Sequence, residues 1–312
     1  MSPKTPPEMP SGGTRRRVGY LGPEGTFSEE ALLASAVPDA VEPVPLATIY
    51  DTIMALRQGE VDMAIVPIEN SLDGSVSVTL DLLAEEASDV EIVGEALLSV
   101  RHSLIAAEML ALEEIDTVIS HPQVPGQCVL FLRGELAHAQ ILTAGSTAEA
   151  VRTVVSGGQR GQAALGTLLA AKIYGGTVIR EGVEDRDDNQ TRFVWLARAS
   201  ESTDRSQIAE PPLRMPATEW KTSLVFWGPG AERPGWLVRC LDEFARRDIN
   251  LTRIESRPRR ERLGSYMFFT DLAGRVSEAS VAGAIAGIRA LCEEVRVLGS
   301  YRVGRESRRD AG

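Results

Sequence analysis

The sequence predicts an α/β protein in two parts: a large N-terminal region of alternating strands and helices, and a smaller C-terminal unit of order βαββαβ. Three observations carry that prediction. From Val18 to Arg198, short β-prone runs alternate with helical ones, the pattern of a largely parallel sheet. Residues 199–220, "ASESTDRSQIAEPPLRMPATEW", then lose all periodicity to serine, proline and mixed charge, which reads as a linker. Beyond them, strand, helix, two strands, helix and strand follow in the ferredoxin-like order. The two units span 17–198 and 221–303. The flanking tails are 1–16, which is proline-rich, polar and expected to be disordered, and 304–312.

The first element is "RVGYLG", a short apolar strand ending near Gly22, followed by "GPEGTFSEEAL". Thr26 or Ser28 suits the N-cap of the next helix, and Glu29 and Glu30 suit its first turn. Such a strand–turn–helix junction aims backbone N–H groups at an anion. The spacing of Gly19, Gly22 and Gly25 fits no G-x-G-x-x-G fingerprint, and there is no P-loop lysine. The loop therefore either holds a small anion or is a turn that needs glycine for positive φ.

"DMAIVPIE" (62–69), "DTVIS" (116–120), "AQILTA" (139–144) and "RFVWLAR" (192–198) read as strands. Helices are expected over 48–58, 75–87, 123–133, 146–156 and 163–174. The β-prone stretch 91–106 is either a crossover between two lobes or two successive strands of one sheet. In the C-terminal unit, 221–228, 249–258, 264–272 and 295–303 read as strands, and 235–247 and 277–291 as helices. The basic run "RPRRERLG" (257–264) reads as a solvated hairpin rather than a polyanion site.

A net charge of −11 argues against a general nucleic-acid binder and leaves any anionic substrate to local donors. The three cysteines are far apart and share no metal-ligand spacing with the three histidines, which points to a reduced, cytoplasmic setting and no metal site. Cys128 reads as a buried hydrophobe. The N-terminal stretch lacks an apolar leader core, and nothing approaches the roughly 18 apolar residues of a membrane span.

Candidate chemistry lies at strand ends, where open α/β sheets place ligands. In "PIENS", Asn70 and Ser71 offer an amide and a hydroxyl for a carboxylate and Glu69 a possible acid, or the stretch is an Asx-type turn. "SHPQVPGQC" supplies Ser120, His121 and Gln127, with the histidine before proline either a turn residue or a catalyst. In "NQTRF", Thr191 and Arg192 open the last strand. Arg192 is a fork for a carboxylate, or it pairs with the aspartates of the preceding "EDRDD".

Taken in order, "GYLGPEGTFSEEAL", "PIENS", "SHPQ…QC", "DNQTRF" and "INLTRIESRP" resemble prephenate dehydratase with its C-terminal ACT regulatory domain, over about 17–303. The resemblance implies conversion of prephenate to phenylpyruvate with loss of carbon dioxide and water, in phenylalanine biosynthesis. It also implies a catalytic region of two α/β lobes around a cleft, the architecture of periplasmic binding proteins. No cofactor or metal is implied, because decarboxylation and aromatisation supply the driving force.

The resemblance maps the activity-linked threonine to Thr191, followed by Phe193 of the same motif, and polar substrate contacts to Asn70, Ser71, Ser120 and Gln127. On chemical grounds Thr26 and Arg192 are added as carboxylate anchors and Glu69 as a proton relay. In the ACT unit it implies L-phenylalanine binding between subunits of a homodimer or homotetramer. The segments are Gly235, Trp236, Leu237 and Val238, and then Asn250, Leu251, Glu255, Ser256, Arg257 and Pro258.

Two departures stand out. Trp236 replaces a small residue and is expected to crowd the effector pocket or pack at a subunit interface. Pro125 and Gly126 are expected to loosen the helix before Gln127. The rival readings are an arogenate dehydratase, a non-aromatising prephenate decarboxylase and a non-catalytic two-lobed solute sensor.

Overall fold

The computed structural model describes residues 15–199, 211–214, 218–228, 233–261 and 263–304. Nearly all of the expected 1–16 and 304–312 tails, and most of the 199–220 linker, lie outside these residues. The large lobe opens with β1 (Arg16–Leu21), α1 (Phe27–Ser35), β2 (Val41–Leu46), α2 (Ile49–Gln58), β3 (Met63–Asn70), the two-residue β4 (Gly74–Ser75), α3 (Ser77–Ala84) and β5 (Val90–Ser99). The chain then crosses to a small lobe of β6 (Ser103–Ala106), β7 (Thr117–Ser120), α4 (Val129–Glu135), β8 (Gln140–Thr143), α5 (Thr147–Gly157), β9 (Gln162–Gly166), α6 (Leu168–Tyr174) and β10 (Thr177–Glu181). It returns through β11 (Gln190–Arg198). The C-terminal unit follows as β12 (Trp220–Trp227), α7 (Trp236–Ala245), β13 (Leu251–Pro258), β14 (Tyr266–Ala273), α8 (Ala279–Arg289) and β15 (Glu294–Arg302).

The strands form a ten-stranded sheet, β13-β14-β12-β15-β5-β11-β3-β1-β2 with β4 on β3, and a five-stranded sheet, β10-β6-β9-β7-β8. The 91–106 stretch thus supplies one strand to each. Both sheets are mixed rather than largely parallel. β2-β1-β3 and β8-β7-β9 are parallel, whereas at the two crossings β5 pairs antiparallel with β11, and β6 with β10. The chain must enter and leave the small lobe side by side, and that reverses these strands.

Local chemistry explains the helix ends. Thr48, Ser146 and Thr167 each accept an N–H from the first turn of α2, α5 and α6, while Gly59 and Gly158 close α2 and α5 in the left-handed region. The stretch expected as one helix over 163–174 is instead a strand and a helix. "QAALG" has helix-prone alanines, yet it lies in the middle of the small sheet, where Gly166 leaves room for Val151. The unanticipated β2, "VEPVPL", tolerates two prolines because it is the outer strand and pairs only with β1. The helix expected over 123–133 begins later, at Val129, after a 3₁₀ turn at Pro125–Gln127. Among the described residues no helix is long and apolar enough to cross a membrane.

One core cluster joins the large lobe to the C-terminal unit: Ile53, Leu80 and Leu83 share it with Val225, Phe269 and Leu298. The sheet itself is continuous at one point, where Gly299 of β15 pairs with Ile92 of β5. A Cβ on Gly299 would stand 2.1 Å from the Ile92 carbonyl oxygen, so only glycine permits this approach. Gly299→Ala is expected to push β15 off β5 and lower unfolding free energy by about 1–3 kcal/mol, the usual range for overpacking, read from urea denaturation.

Candidate active site in the cleft between lobes

β11 builds the floor of the cleft, and strand alternation decides what it presents. Successive side chains point to opposite faces. In register, Thr191 pairs with Asn70 and Arg192 with Glu69. Thr191 and Asn70 therefore face the cleft, whereas Arg192 and Glu69 face the C-terminal unit.

Thr191 Oγ accepts from Asn70 Nδ2 at 2.9 Å. The same amide donates to Asn189 Oδ1 at 2.9 Å, and its Oδ1 accepts the N–H groups of Leu72 and Asp73, both at 2.9 Å. The Asx-type turn thus fixes which end of the Asn70 amide meets Thr191. Asn189 Nδ2 donates to Gln127 Oε1 at 3.1 Å, and His102 Nε2 stands 3.0 Å from that oxygen. Since that oxygen accepts, His102 carries its proton on Nε2, leaving the buried Nδ1 without a hydrogen-bond partner. This chain of polar groups runs from the large lobe through both crossings to the small lobe.

Above it lies a cavity of about 530 Å³, within the range of small-molecule sites. Thr26, Phe27 and Ser28 line it at the N-terminus of α1, and Gly145, Ser146 and Thr147 at the N-terminus of α5. Two helix N-termini, one per lobe, therefore direct positive dipole ends and N–H groups at one space. Thr26 makes no side-chain cap; its hydroxyl donates to the Leu21 carbonyl at 2.9 Å and secures the turn. That turn is clamped to the small lobe, where Thr167 Oγ donates to the Gly25 carbonyl at 2.7 Å. Gly25 has φ 84°, and a Cβ there would meet Ala170 at 2.9 Å. The Gly25 N–H is taken by Glu29 at 2.5 Å, so of the loop's donors this one serves the chain itself.

Of the residues singled out in the sequence, Thr26, Asn70, His121, Gln127 and Thr191 meet at the cavity. Five others do not line it. Arg192 is buried on the opposite face, with Nε donating to Glu95 at 2.8 Å, one Nη to Asp271 at 2.5 Å and the other to the Tyr301 hydroxyl at 2.7 Å. It is no carboxylate anchor, and its partners are not the nearby aspartates of "EDRDD". Burial alone would lower its pKa, but Tyr301, Asp271 and Glu95 hold it well above the ordinary value. Glu69 faces Arg192 and Arg253, at 3.5 and 3.8 Å, so it cannot relay a proton to the cleft. Phe193 is core, Ser120 is buried with its hydroxyl on the Leu165 carbonyl, and Ser71 Oγ accepts the Gln190 N–H at 2.9 Å and holds the turn. His102, Asn189 and Asp73 were not anticipated, although Asn189 stands inside "DNQTRF". Among the described residues no cluster of three or more His, Cys, Asp or Glu can hold a metal ion.

In the C-terminal unit, Gly235 caps α7 at φ 79° and Val238 is exposed. Trp236 turns inward rather than out toward a subunit interface. It is buried in the unit's own core against Phe226 and Phe268, with its indole N–H on the Leu291 carbonyl at 2.8 Å. Leu237 and Leu251 are half-buried and Asn250 is exposed. Ser256 and Pro258 are exposed on β13, whereas Glu255 bonds Ser75, and Arg257 forks onto Asp81 at 2.5 and 2.9 Å. Arg260 also reaches Asp81, so two arginines of the basic run fasten β13 to α3. Burial pushes the Cys128 thiol up to about 12.

Burial lowers the His102 pKa despite the opposing hydrogen bond to Gln127 and the charge of Glu184. A histidine depressed in the folded state binds its proton more readily when unfolded, at about pH 6.5, so folding stability falls as pH drops through that window. The expected result is a wild-type stability that declines from pH 7 to pH 5 more steeply than that of His102→Gln, measured by urea denaturation at each pH.

Residues 18–201 match the family model for prephenate dehydratase. A curated prephenate dehydratase of Mycolicibacterium vanbaalenii is 37% identical over 300 residues, covering 92% of this chain and 91% of the relative. The solved structure of an Arthrobacter aurescens prephenate dehydratase in complex with L-Phe superposes with TM-score 0.79 at 33% identity, covering 93% of this chain and 90% of that one. A structure described as a new type of quorum-quenching acylase also superposes with TM-score 0.79, at 26% identity, covering 93% and 98%. With the family model matching more than half of the chain and a 37%-identical relative covered nearly end to end, the chain belongs to the prephenate dehydratase family.

Proposed function

We propose that this chain converts prephenate to phenylpyruvate, releasing carbon dioxide and water, in L-phenylalanine biosynthesis. Thr191, at the base of the cleft, is the catalytic residue. The observation that carries this reading is the Asn70–Thr191 hydrogen bond beneath two facing helix N-termini. Prephenate is a dicarboxylate whose ring hydroxyl must leave as the carbon–carboxylate electrons enter the ring. The N-termini of α1 and α5 suit its two carboxylates, one from each lobe. Because Asn70 donates into Thr191 Oγ, the threonine's own O–H points away from the amide and is polarised toward donation. It stabilises the departing hydroxyl by a hydrogen bond; the prephenate dianion and one proton taken from solvent give the phenylpyruvate anion, carbon dioxide and water. Gln127, Asn189 and His102 set the spacing of the lobes around the ring. No redox or metal step is called for, since decarboxylation makes the aromatic ring.

The dehydratase region is 17–198 and the ferredoxin-like ACT unit 221–303. The ACT reading is supported by the strand order β13-β14-β12-β15 with α7 and α8 packed against it, and by the L-Phe held by the Arthrobacter relative. L-Phenylalanine inhibits through the segments around Gly235–Val238 and Asn250–Pro258, at an interface in a homodimer or homotetramer of a cytoplasmic enzyme. Thr191→Ala and Asn70→Ala are expected to lower kcat by about 10²-fold or more and about 10-fold, with KM little changed, while Thr191→Ser retains most activity. Phenylpyruvate absorbance from purified protein and prephenate checks this, with arogenate as the parallel substrate. Wild-type protein that forms no phenylpyruvate would overturn the reading.

A further inference from the structure

Two of the three cysteines are neighbours in space although 52 residues apart in sequence: Cys240 Sγ and Cys292 Sγ stand 3.7 Å from each other. Cys240 is buried on the inner side of α7, and Cys292 is half-buried in the turn after α8. The third, Cys128, is buried in the core of the small lobe. The same two segments are already tied one helical turn away, by the Trp236 indole on the Leu291 carbonyl. The turn is held from below as well, with the Glu293 N–H on the Trp227 carbonyl at 2.9 Å.

We propose that Cys240 and Cys292 are a reversible oxidation site, forming an intramolecular disulfide that fastens α7 to the turn after α8. Bonded sulfurs lie at about 2.05 Å, so rotation of the two side chains toward each other has a short gap to close. A hydrogen bond from Cys292 lowers the Cys240 thiol, and the same contact with burial raises that of Cys292. In the singly deprotonated pair, the half-buried Cys292 attacks a hydroperoxide while its proton passes to Cys240. The peroxide O–O bond breaks, giving a sulfenic acid on Cys292 and hydroxide. Cys240 then displaces that hydroxyl. In sum, two thiols and one hydrogen peroxide give one disulfide and two waters, with two electrons passing from sulfur to oxygen. A thiol reductant reverses it, as expected of a disulfide in a reducing compartment.

The test uses the reduced full-length protein, exposed to a few equivalents of hydrogen peroxide, denatured and labelled with a maleimide for intact-mass analysis. The expected result is a fall from three labels per chain to one, on Cys128, with loss of the mass of two hydrogens and a Cys240–Cys292 linked peptide that dithiothreitol removes. Hydrogen exchange of α7 should slow severalfold in the oxidised form. Cys240→Ser and Cys292→Ser should each keep both of their remaining thiols labelled. Three labels after peroxide, a sulfinic acid on either cysteine, a disulfide between chains, or unchanged exchange in α7 would each overturn the proposal. Gly235–Val238 lie at the N-terminus of α7, the helix that the disulfide fastens, so an effect on phenylalanine inhibition would follow; that consequence rests on the ACT reading, whereas the mass and exchange readouts do not.

Discussion

The buried guanidinium of Arg192 ties three parts of the chain together. It meets Glu95 on β5, Asp271 on β14 and Tyr301 on β15, while Glu95 also takes the Lys221 ammonium at 2.9 Å and the Gly304 N–H. Taking these charges out of water is costly, and the cluster survives because its members are paired and hydrogen-bonded. Asp271 shows the effect: burial would raise its pKa, but Arg192 and Ser223 hold it below the usual carboxylate value. The geometric consequence concerns the neighbouring residue. With Arg192 fixed on one side of β11, Thr191 has only the cleft side to occupy.

A second constraint is electrostatic. The chain carries a net charge of −11, so an anionic ligand gains nothing from the overall field. Local donors must hold it, and the fold provides them by bringing the N-termini of α1 and α5, one from each lobe, to one cavity. The clamp of Thr167 on Gly25 keeps the two lobes together, and the polar chain from Thr191 to His102 crosses at the floor. Packing, pairing and dipoles thus converge on one space.

Much of this was legible in the sequence because it depends on local signals. Alternating strands and helices and the βαββαβ order both follow from short-range chemistry. So did Asn70 and Thr191 as cleft residues, because their motifs lie at strand ends. Which face of a strand a residue takes was not legible. Arg192 and Glu69 carry the right chemistry for a substrate site, yet register turns both toward the C-terminal unit. His102 escaped notice because its partner, Gln127, comes from another lobe. "QAALG" and "VEPVPL" failed as strand signals for opposite reasons: the first is helix-prone but sits mid-sheet, the second is proline-rich but lies at the edge.

The measurement that bears most directly on this account compares Arg192→Met with wild type in both stability and steady-state kinetics on prephenate. If Arg192 fastens β11 to the C-terminal unit, the variant unfolds at lower urea, while the folded fraction keeps a KM within about threefold of wild type. If Arg192 instead holds a substrate carboxylate, stability is largely kept and KM rises by about 10-fold or more, as loss of a charge-assisted bond of about 1.5–3 kcal/mol requires. That second result would contradict the account.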